Sequence, residues 1–465
     1  MTAKAPEVKP HIFREYDIRG LADAELGDGT VTAIGMAYGT YLANFGISTA
    51  TVGGDARIST PRIKTAVIEG LRRAGVSVID IGMCSSPTFY WSLYHFGVDG
   101  GVMVTGSHNP PEFNGLKLAR GKSTIWGDDI QEIYRTISEG RTVEPPSRGT
   151  LRSEDISDAY TDMLVSKIEL GPRKLKVALD SGNGTGGMYA PRFARAIGCD
   201  VIELFSEPDG RFPNHHPDPT KRPYLTSLIE SVRENGTDLG IGFDGDSDRI
   251  GVVDDKGRML FGDQLMLIFW REILPKNPGA AVIVEIKSSM MLPEETARLG
   301  GKPMWWKSGH SLVKAKMREE NALFSGEVSG HMFFADEFYG FDDAFYAAGR
   351  LLRILSNTDK KLSDIVDEMP SYPSTAETRF ACPDDMKFEV VRRVREAAVR
   401  DMETITVDGV RIVRENGWGL LRASNTQPVL VARAEGRSQR DLDEMASDMK
   451  RRIRDAGGPD FEWEY

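Results

Sequence analysis

Four short segments carry residue types whose chemistry can be argued. In Val104-Thr105-Gly106-Ser107-His108-Asn109-Pro110-Pro111, a serine sits on a tight glycine turn directly after the apolar run 101–104. Successive backbone N–H groups there can gather a phosphate beside a hydroxyl. A Ser-His-Asp hydrolase is a poor match, because Asn109 stands where a G-x-S-x-G elbow needs its second glycine. In Asp244-Gly245-Asp246-Ser247-Asp248-Arg249, three carboxylates at alternate positions lie between apolar strands at 239–243 and 250–253. They can converge on one hard divalent cation, which takes oxygen ligands. An EF-hand fails: its sixth position is Arg249 instead of Gly, its twelfth is Asp255 instead of Glu, and strands flank it where helices belong. A plain acidic hairpin tip is disfavoured as well, since three carboxylates this close repel without a cation or Arg249 beside them.

Gly326-Glu327-Val328-Ser329-Gly330-His331 alternates short polar side chains with glycine, a composition suited to hydrogen-bonding vicinal hydroxyls at close backbone approach. Arg422-Ala423-Ser424-Asn425-Thr426-Gln427-Pro428 offers a guanidinium with hydroxyl, amide and N–H donors, which suits a phosphate monoester. Either segment alone reads as an ordinary turn. His108, His215, His216, His310 and His331 all fall in segments rich in Gly, Pro, Ser and Asn, and His11 lies beside the Arg- and Tyr-rich start; only His95 reads as merely structural.

The elements that must position these segments follow one grammar of apolar strand, Gly- or Asp-rich turn and helix, seen at 51–55, 176–184 and 281–287. Thr60-Pro61 is expected to cap a helix closed by Gly75, with a strand at 76–81. Beyond Tyr372 the pattern becomes α+β: a strand near 377–381, a helix near 386–400, a hairpin turned at Asp408-Gly409, and a last helix from Ser438 with Asp441 as its capping-box partner. The 465 residues suggest roughly three domains on length alone, and the expected boundaries are 1–153, 154–256, 257–370 and 371–465. With 58 Lys and Arg against 69 Asp and Glu, the net charge of −11 disfavours nucleic acid and anionic membranes as partners. Cys84, Cys199 and Cys382 are far apart and read as reduced thiols; no apolar leader or 18-residue apolar run occurs, so a cytoplasmic protein is expected.

In order and spacing along the whole chain, the four segments closely resemble the α-D-phosphohexomutase superfamily. The T-G-S-H-N-P, G-E-V-S-G-H and R-A-S-N-T wording is most similar to its bacterial phosphomannomutase/phosphoglucomutase group. The resemblance implies three tandem mixed α/β domains plus a C-terminal α+β domain, able to rotate, around a central active-site cleft. It implies that Ser107 is the phosphoserine, that Asp244, Asp246 and Asp248 hold Mg²⁺ together with phosphorylated Ser107, and that Arg249 and Lys117 flank the transferring group. Ser247 stands where many relatives have Gly, with little consequence expected. Glu327 and Ser329 would grip the sugar O3 and O4, and His331 would transfer a proton. Arg422, Ser424, Asn425 and Thr426 would bind the other phosphate, with Tyr16, Arg19, Lys287 and His310 also in the cleft, and His215 and His216 structural.

The implied reaction interconverts hexose 1-phosphate and hexose 6-phosphate, mannose or glucose, through a bound glucose 1,6-bisphosphate or mannose 1,6-bisphosphate that turns end over end. Small-molecule hexose phosphates are then the only expected partners, in a monomer or dimer. Phosphoglucosamine mutase is the nearest alternative. Its phosphate loop typically reads R-P-S-G-T-E-P, whereas this chain has Asn425 and Gln427. A metal-dependent sugar-phosphate phosphatase would differ by net phosphate release.

Overall fold

Strands buried on both faces must be apolar along their whole length, whereas edge strands alternate, and both patterns appear in the computed structural model, which describes residues 8–424 and 427–464. The chain forms two units: one comprises the chain up to Gly262 together with Ser329–Ile365, the other Asp263–Val328 together with the chain from Val366 onward.

In the first unit, β1 (Ile18–Leu21), β2 (Thr49–Gly54), β3 (Ser77–Met83), β4 (Gly100–Val104), β5 (Phe113–Arg120), β6 (Ser123–Thr124) and β7 (Leu151–Ser153) build a mixed sheet. Its order is β1-β5-β4-β2-β3-β7, with β6 on β5. β4 is buried along its whole length and runs parallel to β2, which brings the loops after both strands to one edge of the sheet. The helices Asp28–Ala43 and Thr60–Arg73 approach so closely that a Cβ on Gly70 would lie 2.2 Å from the Thr32 carbonyl oxygen, so only glycine fits there. Ser59, not the expected Thr60, occupies the N-cap position of the second helix, and Thr60 instead donates its hydroxyl to Asp55 Oδ1 at 2.6 Å.

A second sheet of this unit contains β8 (Lys176–Asp180), β9 (Asp200–Leu204), β10 (Leu239–Phe243), β11 (Ile250–Asp254) and β12 (Met259–Leu260) in the order β12-β11-β10-β8-β9. β10 and β11 pair antiparallel with Phe243 opposite Ile250, so 244–249 forms the tip of a hairpin.

In the second unit, β13 (Ala281–Glu285) and β14 (Lys302–Trp306) pair in parallel, and β15 (Phe324–Gly326) leads into Glu327. β16 (Met332–Phe334) belongs to the first unit. The last segment is an antiparallel sheet, β17 (Thr378–Ala381), β18 (Glu403–Ile405), β19 (Val410–Arg414), β20 (Gly417–Ala423) and β21 (Val429–Gly436), in the order β17-β21-β20-β19-β18. Helices Asp384–Asp401 and Gln439–Asp455 pack their apolar faces into its core, and Ser438 and Asp441 form the expected capping box. The three cysteines are buried and unpaired. Among the described residues, no helix is long and apolar enough to cross a membrane.

Candidate active site

The end of β2 supplies Asp55 and Arg57, and the end of β4 supplies the serine turn. Asp55 Oδ2 accepts from Thr105 Oγ1 at 2.8 Å and from the Gly106 N–H at 3.1 Å. Ser107 follows in the left-handed region at φ 49° and is buried. Its hydroxyl donates to Asp244 Oδ2 at 2.9 Å and lies 3.0 Å from His108 Nδ1. Desolvation, with Arg249 and Arg19 nearby, holds His108 well below the ordinary imidazole range. His216 Nε2 bonds the His108 carbonyl, and His215 pairs with Asp180 at the end of β8 at 3.0 Å, so both expected structural histidines brace the loops around the serine.

Asp244, Asp246 and Asp248 are all buried and can each turn one carboxylate oxygen to within 4.8 Å of the others. Burial and the adjoining charges of Asp246 and Asp248 push Asp244 well above the ordinary carboxylate range. Burial acts the same way on Asp246, but Lys117 outweighs it and holds that carboxyl below the usual value. Lys117 Nζ, at the centre of β5, lies 2.8 Å from Asp246 Oδ2 and also pairs with Asp248; desolvation works against its charge, yet the two carboxylates raise its pKa well above the ordinary value. Ser86, the first residue of the helix Ser86–His95, donates to Asp246 Oδ2 at 2.7 Å. Asp246 Oδ1 and Asp248 Oδ1 have no hydrogen-bond partner among the described residues. An all-oxygen donor set with two buried acceptor atoms in need of a partner fits a hard divalent cation.

Two backbone details seat the hairpin tip against the serine turn. A Cβ on Gly245 would lie 2.6 Å from the Ser107 carbonyl oxygen, so the two loops touch where only glycine fits. Ser247, where many relatives have Gly, takes φ 61° and lies 3.2 Å from Thr185 through its hydroxyl. Arg249 donates from Nε to His331 Nε2 at 3.0 Å, and His331 Nδ1 lies 3.1 Å from Asp342 Oδ2. With Nε2 accepting, the imidazole proton belongs on Nδ1, facing Asp342. Arg19, in β1 opposite Gly115 of β5, occupies the same sheet face as Lys117 and pairs with Asp17, and Tyr16 lies just before that strand. The first unit thus brings together Ser107, Lys117, the three aspartates, Arg249 and His331, with Arg19 on the sheet face of Lys117.

The second unit assembles a different set. Lys287 Nζ lies 3.1 Å from Glu285 and 3.0 Å from Glu377; desolvation opposes its charge, but these carboxylates raise its pKa. Buried Glu285 accepts from Ser308 Oγ at 2.6 Å and from the Val328 N–H at 2.7 Å, while Glu327 accepts from the Gly309 N–H at 2.7 Å. His310 opens the helix His310–Glu320 beside that turn. Arg422, on β20, is held by Asp408 Oδ2 at 3.0 Å from Nε and 2.9 Å from Nη2. Lys387 donates to the carbonyls of Ser424 and Gln427 at 2.7 and 3.0 Å, bracing the expected phosphate loop; Asn425 and Thr426 lie outside the described residues. The third motif is divided, with Glu327 in the second unit and Ser329 in the first.

Sequence reasoning passed over Asp55, Arg57, Ser86, Glu285, Asp342, Lys387 and Asp408. Asp55 and Glu285 did carry a signal, an acidic residue at the end of an otherwise apolar strand run.

Comparison with known proteins adds an independent line. Models described as phosphoglucomutase/phosphomannomutase match in succession: alpha/beta/alpha domain I over residues 10–144, domain II over 158–257, domain III over 261–372, and the C-terminal domain over 377–452. A phosphomannomutase/phosphoglucomutase of Pseudomonas aeruginosa is 39% identical over 454 residues, 97% of each chain. A phosphoglucomutase of Neisseria gonorrhoeae is 38% identical over 442 residues, 94% of this chain and 96% of that one. The crystal structure of a phosphoglucomutase/phosphomannomutase family protein from Burkholderia thailandensis matches with a TM-score of 0.92 at 38% identity, covering 99% of this chain and 100% of that one.

Proposed function

The chain belongs to the phosphoglucomutase/phosphomannomutase family and is a phosphohexomutase, an isomerase with the four domains of that family, and we propose that it works through Ser107 as a covalent phosphoryl carrier. The observation that carries the reading is the buried Ser107 hydroxyl, 2.9 Å from Asp244, in a cluster of three carboxylates beside Lys117. Mg²⁺ held by Asp244, Asp246 and Asp248 would supply Lewis-acid stabilisation of charge on the transferring group.

The chain's own residues account for the remainder. Phosphorylated Ser107 gives its phosphoryl group to O1 or O6 of the hexose monophosphate: the bond from phosphorus to the serine oxygen breaks, and the bond to the sugar oxygen forms. The attacking sugar hydroxyl gives up its proton to His331 as Nε2 releases the Arg249 Nε–H that it accepts, and the departing serine oxygen takes up a proton to become a hydroxyl again. Arg249 and Lys117 stabilise the negative charge spread over the phosphoryl oxygens. Glu327 and Ser329 bind the sugar hydroxyls. Arg422, with Ser424, Asn425 and Thr426, serves the phosphate that is not being transferred, and Tyr16, Arg19, Lys287 and His310 are further substrate contacts. The bisphosphate then turns over and returns its other phosphate to Ser107.

Glucose and mannose phosphates are the proposed substrates. A solved N-acetylphosphoglucosamine mutase of Aspergillus fumigatus shares the fold at 14% identity with a TM-score of 0.64, and Asn425 and Gln427 argue against the amino-sugar reading. Parallel coupled assays with glucose 1-phosphate, mannose 1-phosphate and glucosamine 1-phosphate test the substrate class. The carrier role is tested with Ser107→Ala, which should lose net turnover with its circular dichroism unchanged. Wild-type protein treated with glucose 1,6-bisphosphate should gain one phosphate that maps to Ser107; phosphate on another residue, or near-normal activity of the variant, overturns the assignment.

A further inference from the structure

A buried guanidinium needs acceptors for its terminal nitrogens, and at Arg57 those acceptors are backbone carbonyls of the serine loop. The residue is 1% exposed. Nη1 donates to the carbonyls of Pro110 and Phe113 at 2.6 and 3.0 Å, and Nη2 donates to those of Ser107 and Asn109 at 2.7 and 2.6 Å. Nε makes no hydrogen bond among the described residues but faces Asp55 Oδ2 as an ion pair at 3.2 Å, so the two terminal prongs of the fork hold the loop and the carboxylate holds the charge. Asp55 meanwhile fixes the other side of the turn through Thr105 and Gly106, and accepts from the Arg57 N–H at 3.0 Å.

The packing around this group leaves it no alternative position. A Cβ on Gly106 would lie 2.4 Å from Arg57 Nε, so the serine turn rests its backbone on the guanidinium. The Phe212 ring lies 5.3 Å from the guanidinium carbon, and a Cβ on Gly210 would lie 2.5 Å from the Ala56 carbonyl. Ser107 holds a left-handed φ of 49°, which a free loop would abandon.

We infer that Arg57 is a positioning residue for the reaction: its guanidinium, locked by Asp55, staples the backbone carbonyls of the serine loop and thereby holds the Ser107 hydroxyl in its reactive placement. It acts through the backbone and touches no reacting atom. The inference rests on Ser107 being the phosphoryl carrier. Lysine at this position keeps the charge but offers three donors from a single point, and cannot reach carbonyls on both prongs of the fork.

The test compares wild type with Arg57→Lys and Arg57→Ala in the full-length protein. A displacement of about 1 Å at a reacting atom costs about 100-fold in rate, so kcat and the rate of Ser107 phosphorylation by glucose 1,6-bisphosphate, followed by intact mass, should each fall about 100-fold in Arg57→Lys while KM stays within a few-fold. Guanidinium chloride at non-denaturing concentration should partly restore kcat in Arg57→Ala and leave wild type unaffected. A lower melting temperature with wild-type kcat and phosphorylation rate in Arg57→Lys makes the residue merely structural and overturns the inference. Should both variants fail to fold, Gly106→Ala, which presses a methyl group on the guanidinium, takes their place: it should lower kcat without a matching rise in KM, and wild-type kcat in it overturns the inference. Wild-type protein that takes phosphate at a residue other than Ser107 would instead refute the carrier reading, an outcome distinguishable from either of these.

Discussion

At the residue scale, the chemistry depends on side chains held in conformations that a free chain avoids. Ser107 and Ser247 both occupy left-handed backbone at φ 49° and 61°, one bearing the proposed nucleophile and the other lying between two candidate metal ligands. Such a conformation costs a non-glycine residue about 1 kcal/mol or more. At 247 the hydroxyl offsets part of that cost through its contact with Thr185 Oγ1 at 3.2 Å. Ser247→Gly relieves the backbone and loses the hydroxyl, so its unfolding free energy should stay within about 1 kcal/mol of wild type. Ser247→Ala keeps the strain and loses the hydroxyl contact, so it should be the less stable of the two by about 1 kcal/mol. Chemical denaturation of the three proteins checks this order; alanine matching or exceeding glycine would show that the strain is absent. The chemistry-bearing residues of this scale, Ser107, the three aspartates and Arg249, were legible in the sequence because their spacing is local.

At the element scale, strand ends bring the loops together, and the supports of those loops were the part that sequence reasoning missed. Arg57, Lys387, Arg411 and Arg433 each donate to backbone carbonyls of a loop distant in sequence: 107–113, 424–427, and, for the last two, 286–288. Arg411 also lies between the rings of Trp305 and Trp418, at 4.0 and 3.6 Å. No periodicity marks such residues, since a buried cation in a strand, a helix or a turn looks like a local violation until its distant carbonyls are known. Thr60 illustrates the same limit: its type suits a helix cap, but the nearby Asp55 takes its hydroxyl. One brace of this kind is titratable. His215 is tied to Asp180 at the end of β8; desolvation lowers its pKa, but the bond and charge of Asp180 outweigh it and the net shift is upward. A folded pKa above the unfolded value of about 6.5 means that the stabilisation is complete below that pH and is lost as pH rises through the raised value. His215→Gln should therefore cost on the order of 1 kcal/mol at pH 5.5 and less at pH 9. An equal loss of stability at both pH values, measured by urea denaturation, would rule out a charged pair.

At the scale of the whole molecule, the proposed chemistry is divided: the serine, the aspartates and the catalytic cations belong to the first unit, and Lys287, Glu327 and Arg422 belong to the second. The family was legible because the wording of four motif segments resembles it, and the α/β and α+β character of its domains because they follow a strand–turn–helix or α+β grammar. The division into two units was not, since Ser329–Ile365 returns to the first unit through contacts that no local pattern announces. Each unit should accordingly answer to its own ligand, and hydrogen exchange read by mass spectrometry can follow both at once. A cation present at about a hundred times its dissociation constant stabilises its site by about 2.7 kcal/mol, equivalent to about 100-fold in protection. Chelating Mg²⁺ should therefore speed exchange at 105–109 and 244–249, leave 285–287 and 422–424 unchanged, and leave the fold intact, because the apolar cores carry most of the stability. Arg422→Ala should produce the complementary pattern. A charge-assisted hydrogen bond contributes about 1.5–3 kcal/mol, so glucose 1-phosphate should protect 285–287 and 422–424 only at roughly 10- to 100-fold higher concentration, while the Mg²⁺ effect on the first unit persists. Chelation that loosens both units alike would remove the cation from the aspartate cluster. An unchanged glucose 1-phosphate dependence in Arg422→Ala would move the phosphate anchor to Arg19, Lys287 or His310.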